Sequence, residues 1–359
     1  MSNNAFAAFP PLRRRPEQPE IHPACLDLPS GFLRRDGNAV LQQFVRIWER
    51  IPIPCSHGRG MILFYLKWTR SSPQHPFQET QTIVVVKKLF KCAINPESQE
   101  DPYQEIHLMQ QDGDDQHVTT ILEALFTEKY LYLVMPWLGH DLLSTMWYPP
   151  IPRRYPIVRR TWTPAMVRVL LLNLKYFQNH ALVLRDVSSD NILCSVHNSN
   201  HFPHIDLAMG LQCNIIHGIP QRISAGQPWC GKWPFTPPEA LLGGELGFGF
   251  DVWSMAVTIL TIAMGEQYIW DFRNFQYRLD PMYYFLIIQG GLNNTEMLIE
   301  LSDSLNIMKA AENRHYVRKL QSLLAIDTKL RDLLARMLMP NPADRPTIDV
   351  LLSHPYFTT

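Results

Sequence analysis

Between residues 60 and 135, short runs of β-branched, aliphatic and aromatic residues recur: GMILFYLKW at 60–68, TIVVVKKLF at 82–90 and KYLYLVM at 129–135. A polar Ser/Pro/Gln loop parts the first two, and runs of this length and make-up predict strands. Between the second and third, PYQEIHLMQQ at 102–111 is compatible with a helix. After Met135 the repeat lengthens. MVRVLLLNLKYFQNH (166–180), DVWSMAVTILTIAM (251–264) and DTKLRDLLARMLM (327–339) carry helical patterns separated by loops rich in Pro and Gly. A small β-rich part with one helix followed by a larger, mostly α-helical part is an α+β arrangement, with lobes expected at about 46–135 and 136–359.

The first thirty residues hold six prolines, at 10, 11, 16, 19, 23 and 29, which remove backbone donors and forbid helix, so residues 1–45 are expected to form a Pro/Arg-rich disordered tail. Its Arg13-Arg14-Arg15 run is expected to be a solvated charge cluster, a docking role being the alternative. The segment WYPPIPRRYPIVRRTW at 147–162 has four prolines and four arginines and is expected to be a surface insertion, either a solvated loop or a site for an acidic partner. The longest apolar stretch, at 252–265, is only 14 residues. That is short of the roughly 20 needed to span a bilayer, so it is expected to be a buried core helix and no membrane partner is expected.

Charged residues are 18% of the chain, against about 25% in a typical soluble domain, and hydrophobic residues 46%, so most of the chain is expected to fold. Lys+Arg and Asp+Glu both number 33, and this balance supplies no overall field for nucleic acid. The six cysteines contain no C-x-x-C pair, which indicates neither a zinc module nor a disulfide framework. With no secretory-type apolar core at the start, a cytoplasmic or nuclear location is expected.

The chemistry is concentrated in YFQNHALVLRDVSSDNIL at 176–193, where a helical pattern runs into Arg185-Asp186 and then, five residues on, Asn191. A carboxylate that orients a hydroxyl proton, followed by an amide oxygen able to bind Mg²⁺, is what phosphoryl transfer asks of a loop. Asp206, in HFPHIDLAMG, could supply a second metal-binding carboxylate. Alone, either aspartate reads equally as a cap or turn residue.

These motifs resemble the eukaryotic protein kinase superfamily, in family order over about 50–358, and the R-D-V-S-x-x-N-I-L form is similar to divergent fungal kinase-like proteins. The resemblance implies a bilobal protein-kinase-like fold. VVVKKL matches the family's V-A-I-K strand, making Lys87 the phosphate-binding lysine (Lys88 being the other register) and Glu105 its helix partner. Within KYLYLVMPWLGHDLL, Met135 flanks the adenine pocket, Pro136, Trp137 and Leu138 form the linker, and Asp141 begins the ribose-side turn. Asp186 takes the catalytic-base position, and Asn191 and Asp206 the metal positions. Glu239 of the PPEALL run is expected to pair with Arg345, and Asp251 to bond to catalytic-loop backbone; all three brace the fold.

The departures are local. HGRGMILF offers Gly58 and Gly60 for the phosphate loop but Leu63 where a third glycine belongs; the two glycines read equally as a hairpin turn. D-F-G is replaced by Asp206-Leu207-Ala208, and Leu184 stands in the histidine position before Arg185. Ser188 stands where most serine/threonine kinases have a lysine facing the transferred phosphate. Lys232, after Gly231, either folds toward Asp186 and restores that ammonium or is a surface lysine. Ser224 is the one hydroxyl residue between Asp206 and Gly231 and a weak candidate phosphosite. The expected function is an ATP- and Mg²⁺-dependent protein kinase acting on Ser/Thr of a protein substrate. The alternative is a catalytically impaired pseudokinase serving as a nucleotide-binding or scaffolding module.

Overall fold

The computed structural model describes residues 33–34, 44–46, 60–70, 79–90, 102–111, 116–126, 130–142, 145, 163–195, 198, 200–213, 215–216, 219–220, 231–232, 235–241, 246–264 and 327–358. The chain divides into two compact units, Met1–Gly139 and His140–Thr359. Gly58, Arg13–Arg15, the 147–162 insertion and Ser224 lie outside the described residues, as does most of the 1–45 segment.

In the first unit, β1 (Leu33–Arg34), β2 (Phe44–Arg46), β3 (Gly60–Arg70), β4 (Glu79–Phe90), β5 (Glu123–Phe126) and β6 (Tyr130–Pro136) form one sheet in the order β1-β5-β6-β4-β3-β2. Only the β1–β5 pair is parallel. The β-branched run Thr82 to Val86 lies on a central strand of this sheet, a composition that strands favour. Its sister β6 is buried from Leu131 through Met135 without alternation, as a strand covered on both faces is. The helix α1 (Pro102–Gln111) follows β4 and begins at a proline, where a missing N–H is harmless. Along it Glu105, Ile106, Leu108 and Met109 are buried, one stripe at helical spacing that includes a single charge.

The second unit is mostly helical. Its helices are α2 (Pro164–Asn179), α3 (Pro238–Leu241), α4 (Phe248–Met264), α5 (Thr328–Met337) and α6 (Ile348–Leu352). Thr163 caps α2 by accepting from the Met166 N–H at 3.2 Å, and Asp327 caps α5 by accepting from Leu330 at 2.8 Å. Met166, Val167, Leu170, Leu171, Leu174 and Phe177 form the buried stripe of α2. α4 is buried all round, from Val252 to Ile262, as its largely apolar, uncharged composition over that span predicts. Its hydroxyls are all engaged: Thr258 and Thr261 donate to the carbonyls four residues earlier, and Ser254 reaches the carbonyls of Phe250 and, outside the helix, Phe235. α2 and α5 pack against α4, and α6 against α2. Among the described residues no helix is long and apolar enough to cross a membrane.

Short two-stranded pairs complete this unit: β7 (Gly139–Asp141) with β9 (Leu193–Ser195), and β8 (Leu182–Val183) with β10 (Leu211–Gln212). β11 (Ile215–Ile216) pairs with β12 (Ile219–Pro220). β8 and β9 bracket the loop 184–192 that carries the Asp186/Asn191 pair.

Candidate active site

In the first unit, β4 runs between β3 and β6 with Lys87 opposite Ile62 and Leu133. The Lys87 ammonium donates to both carboxylate oxygens of Glu105, at 3.0 and 2.9 Å. Glu105 is 1% exposed, so this charge is removed from water and held by its partner. Strand alternation separates the two lysines: Lys88 lies over the Tyr132 ring, 5.7 Å from its centroid. Of the other positions read from the sequence in this unit, Gly60 lies opposite Leu89, Met135 is buried opposite Val85, and Trp137 and Leu138 are half-buried.

In the second unit, Asp251 in the first turn of α4 fixes the 184–192 loop from behind. Its two oxygens accept the Leu184 and Arg185 N–H groups at 2.7 and 2.9 Å. Burial pushes the Asp251 carboxyl up to about 7, although both hydrogen bonds favour the charged form. Arg185 is thereby held at φ 62°, a left-handed conformation unusual for a side-chain-bearing residue. Its Nε donates to the Met209 carbonyl at 2.7 Å. Leu184, in the place of the expected histidine, is buried and packs.

Gly231 is needed where it sits. Its φ is +82°, and a Cβ there would fall 2.5 Å from the Arg185 carbonyl oxygen. This close approach brings the next residue, Lys232, into the loop. Its ammonium lies 2.7 Å from Asp190 Oδ2, 2.9 Å from Ser188 Oγ, 3.2 Å from Asn191 Oδ1 and 3.7 Å from Asp186 Oδ2. Of the two readings of Lys232, the geometry is that of a lysine folded toward Asp186, not of one on the surface. Burial works against its charge, but Asp186, Asp190 and Asp206 outweigh burial and hold its pKa above the usual lysine range.

Asn191 donates to the Asp186 carbonyl at 3.0 Å and to Asp186 Oδ2 at 2.6 Å. One oxygen of Asp186 is thus engaged, while Oδ1 is buried without a hydrogen-bond partner among the described residues. Burial, opposed by Lys232 and reinforced by Asp190 and Asp206, raises the Asp186 carboxyl to about 7. Asp206 comes alongside because the Ile205 N–H donates to the Asn191 carbonyl at 3.0 Å, next to an antiparallel bridge between Ile192 and His204. Asp206 has φ 62° and opens a 3₁₀ turn, Leu207–Met209, whose three side chains are buried. Asp141, on β7, receives at its carbonyl the Thr145 hydroxyl. Asp190 was not singled out in the sequence.

The expected brace is formed. Arg345 donates to both oxygens of Glu239, at 2.6 and 2.7 Å, and to the carbonyls of Gly249, Met339 and Pro340. Its guanidinium lies 5.0 Å from the Trp253 ring centroid.

Known proteins similar in sequence to this chain include kinases. The chain is 25% identical over 286 residues to sperm motility kinase 2B of Mus musculus, covering 78% of this chain and 47% of that protein. It is 22% identical over 285 residues to human cyclin-dependent kinase-like 5, covering 79% and 28%. It is 25% identical over 250 residues to the serine/threonine-protein kinase US3 homolog of varicella-zoster virus (strain Dumas), covering 66% and 60%. The chain thus spans less than two thirds of the length of these relatives. The family model for the protein kinase domain matches residues 75–357, and by that match over most of its length the chain belongs to the protein kinase family, whose α+β fold it has.

Proposed function

We propose that the chain is a catalytically active, ATP- and Mg²⁺-dependent kinase that phosphorylates Ser or Thr hydroxyls of a protein substrate. The observation that carries this reading is the state of Asp186: one oxygen fixed by Asn191, the other buried without a partner among the described residues, and a pKa near 7. A positioned carboxylate with that pKa is suited to take a proton from an incoming hydroxyl near neutral pH. That hydroxyl oxygen bonds to the γ-phosphorus as the bond to the ADP oxygen breaks, and its proton passes to Asp186. Lys87, held by Glu105, would grip the α/β-phosphates. Met135, Trp137 and Leu138 would border the adenine, and Asp141 the ribose; Gly60, and Gly58 outside the described residues, would approach the phosphates.

Asn191 and Asp206 fit Mg²⁺ by the chemistry of their donors: a carboxylate and an amide oxygen are hard ligands, and Mg²⁺ takes one or two such groups plus substrate phosphates. When bound there, the ion would neutralise charge on the phosphate oxygens. The printed names of the relatives, a serine/threonine-protein kinase among them, support the choice of hydroxyl. A cytoplasmic or nuclear setting, where MgATP is plentiful, goes with this reading.

The pseudokinase alternative draws on a different observation. Leu207 and Ala208, 2% and 4% exposed, replace the family's Phe-Gly with residues packed into a 3₁₀ turn. Thermal denaturation with ATP, with and without Mg²⁺, tests the binding side of the proposal. Ligand at about 100 times its Kd stabilises by about 2.7 kcal/mol. Stabilisation that requires Mg²⁺ and is lost in Asp206→Asn is expected. Stabilisation indifferent to Mg²⁺ favours the scaffold, and no shift at all contradicts nucleotide binding.

A further inference from the structure

The 184–192 loop and its neighbours gather three carboxylates, Asp186, Asp190 and Asp206, around one ammonium, which lies 2.7 Å from Asp190 Oδ2 and 3.7 Å from Asp186 Oδ2. A nucleoside triphosphate brought to such a cluster adds further negative charge. The transferred phosphoryl group has to be stabilised by positive charge at its oxygens, the largest single contribution in reactions of this type. Arg185, although next to Asp186 in sequence, is buried at 2% exposure with its Nε engaged by Met209. Among the described residues, the cation that acts on Asp186 is Lys232.

We infer that Lys232 supplies the ammonium that contacts the γ-phosphoryl oxygens, delivered from the 231–232 segment to the place left by the missing lysine at Ser188. This inference rests on the kinase reading above and assigns that site a further catalytic residue. Three observations carry it. The ammonium lies 2.9 Å from Ser188 Oγ, so charge lost at one backbone position is returned beside it from another. Its contacts are to Asp186 and Asn191, the groups placed at the reacting hydroxyl and at the metal. Gly231, at φ +82° and against the Arg185 carbonyl, is the backbone device that lets the following residue reach in. A lysine that only decorated the surface would require none of this.

A lysine bridging acids could instead serve only to hold the loop together, and the test separates the two roles. Wild type, Lys232→Met, Lys232→Arg and the double variant Ser188→Lys/Lys232→Thr are compared, each first shown to melt cooperatively. Transfer is measured from γ-labelled MgATP to dephosphorylated casein, with Asp186→Asn as the blank. In parallel, calorimetry gives the affinities for MgAMP-PNP and MgADP.

Lys232→Met is expected to lose about 100-fold in kcat with the KM for ATP changed less than about threefold. It is also expected to lose the wild-type preference for the triphosphate analogue over MgADP. The double variant, which moves the ammonium to position 188, is expected to recover to within about tenfold of wild type. Lys232→Met with wild-type kcat, or a double variant as inactive as the single one, would overturn the inference. If wild-type transfer does not exceed the Asp186→Asn blank, the kinase reading falls on its own. The nucleotide comparison then still decides, because an unchanged triphosphate preference in Lys232→Met rules out contact with the γ-phosphate.

Discussion

The second unit contains two ionic clusters built to opposite plans. Arg345 and Glu239 form a balanced pair: one cation, one anion, two parallel hydrogen bonds, and carbonyls of Gly249, Met339 and Pro340 for the remaining donors. Around Lys232 three carboxylates share one ammonium, and Asp186 Oδ1 and Asp190 Oδ1 are buried without partners among the described residues. A satisfied cluster resists rearrangement and braces the fold. A cluster with surplus acid and orphaned oxygens retains interactions for something that arrives later, and buried polar atoms left unsatisfied ordinarily mark such places. Charge and burial alone do not distinguish the two; completeness of pairing does.

The contrast can be broken most forcefully at the brace. Arg345→Leu leaves Glu239 charged and buried, and is expected to cost about 3–5 kcal/mol in urea denaturation, with activity lost only through unfolding. A cost under about 1 kcal/mol would remove the brace from the comparison. Next in size is Gly231→Ala, where positive φ and a Cβ 2.5 Å from a backbone oxygen are expected to cost about 1–3 kcal/mol. Because the strain falls beside Lys232, turnover should drop further than stability does. A fully stable, fully active alanine variant would show that the close approach is dispensable.

Asp251 gives a pH signature that belongs to the supporting frame. Its folded pKa, about 7, lies above the unfolded value of 3.8, so between these the folded protein keeps a proton that the unfolded chain has released. The stability contributed by this group is complete below about pH 3.8 and is lost as pH rises through 7, at about 1.4 kcal/mol per pH unit inside the window. Denaturation of wild type should therefore show a fall between pH 5 and 7 that is shallower in Asp251→Asn, where Asp186, also raised to about 7, still contributes. The same slope in both would place the titration elsewhere. The smallest expected effect is at Asp190→Asn, a one-third exposed side chain: stability within about 0.5 kcal/mol, with a turnover change because Lys232 loses its nearest partner.

What could be read from the sequence followed the strength of its periodicity. The Val-rich β4, the largely apolar α4 and the amphipathic α2 carry enough residues for their pattern to be unambiguous, and each forms within a few residues of its expected span. β1 and β2 fall in or at the edge of the segment expected as a tail; strands of two or three residues have no period to read. Lys87 could be placed ahead of Lys88 from the motif, and alternation along β4 sends the two to different partners, Glu105 and the Tyr132 ring. Position 232 could not be settled from sequence. Whether a lysine there meets solvent or Asp186 depends on one positive φ at Gly231 and on a backbone contact 46 residues back, neither of which leaves a pattern in the chain. Asp190 was invisible for a similar reason: its significance comes from the ammonium it receives.

The most direct measurement is transfer of label from γ-labelled MgATP to dephosphorylated casein by wild type and by Asp186→Asn, at equal concentration and after both are shown to be folded. Phosphorylated product with wild type that falls at least about 100-fold in the variant is expected. Absence of product with wild type, or equal product with both proteins, would contradict a catalytic role for the cluster around Asp186.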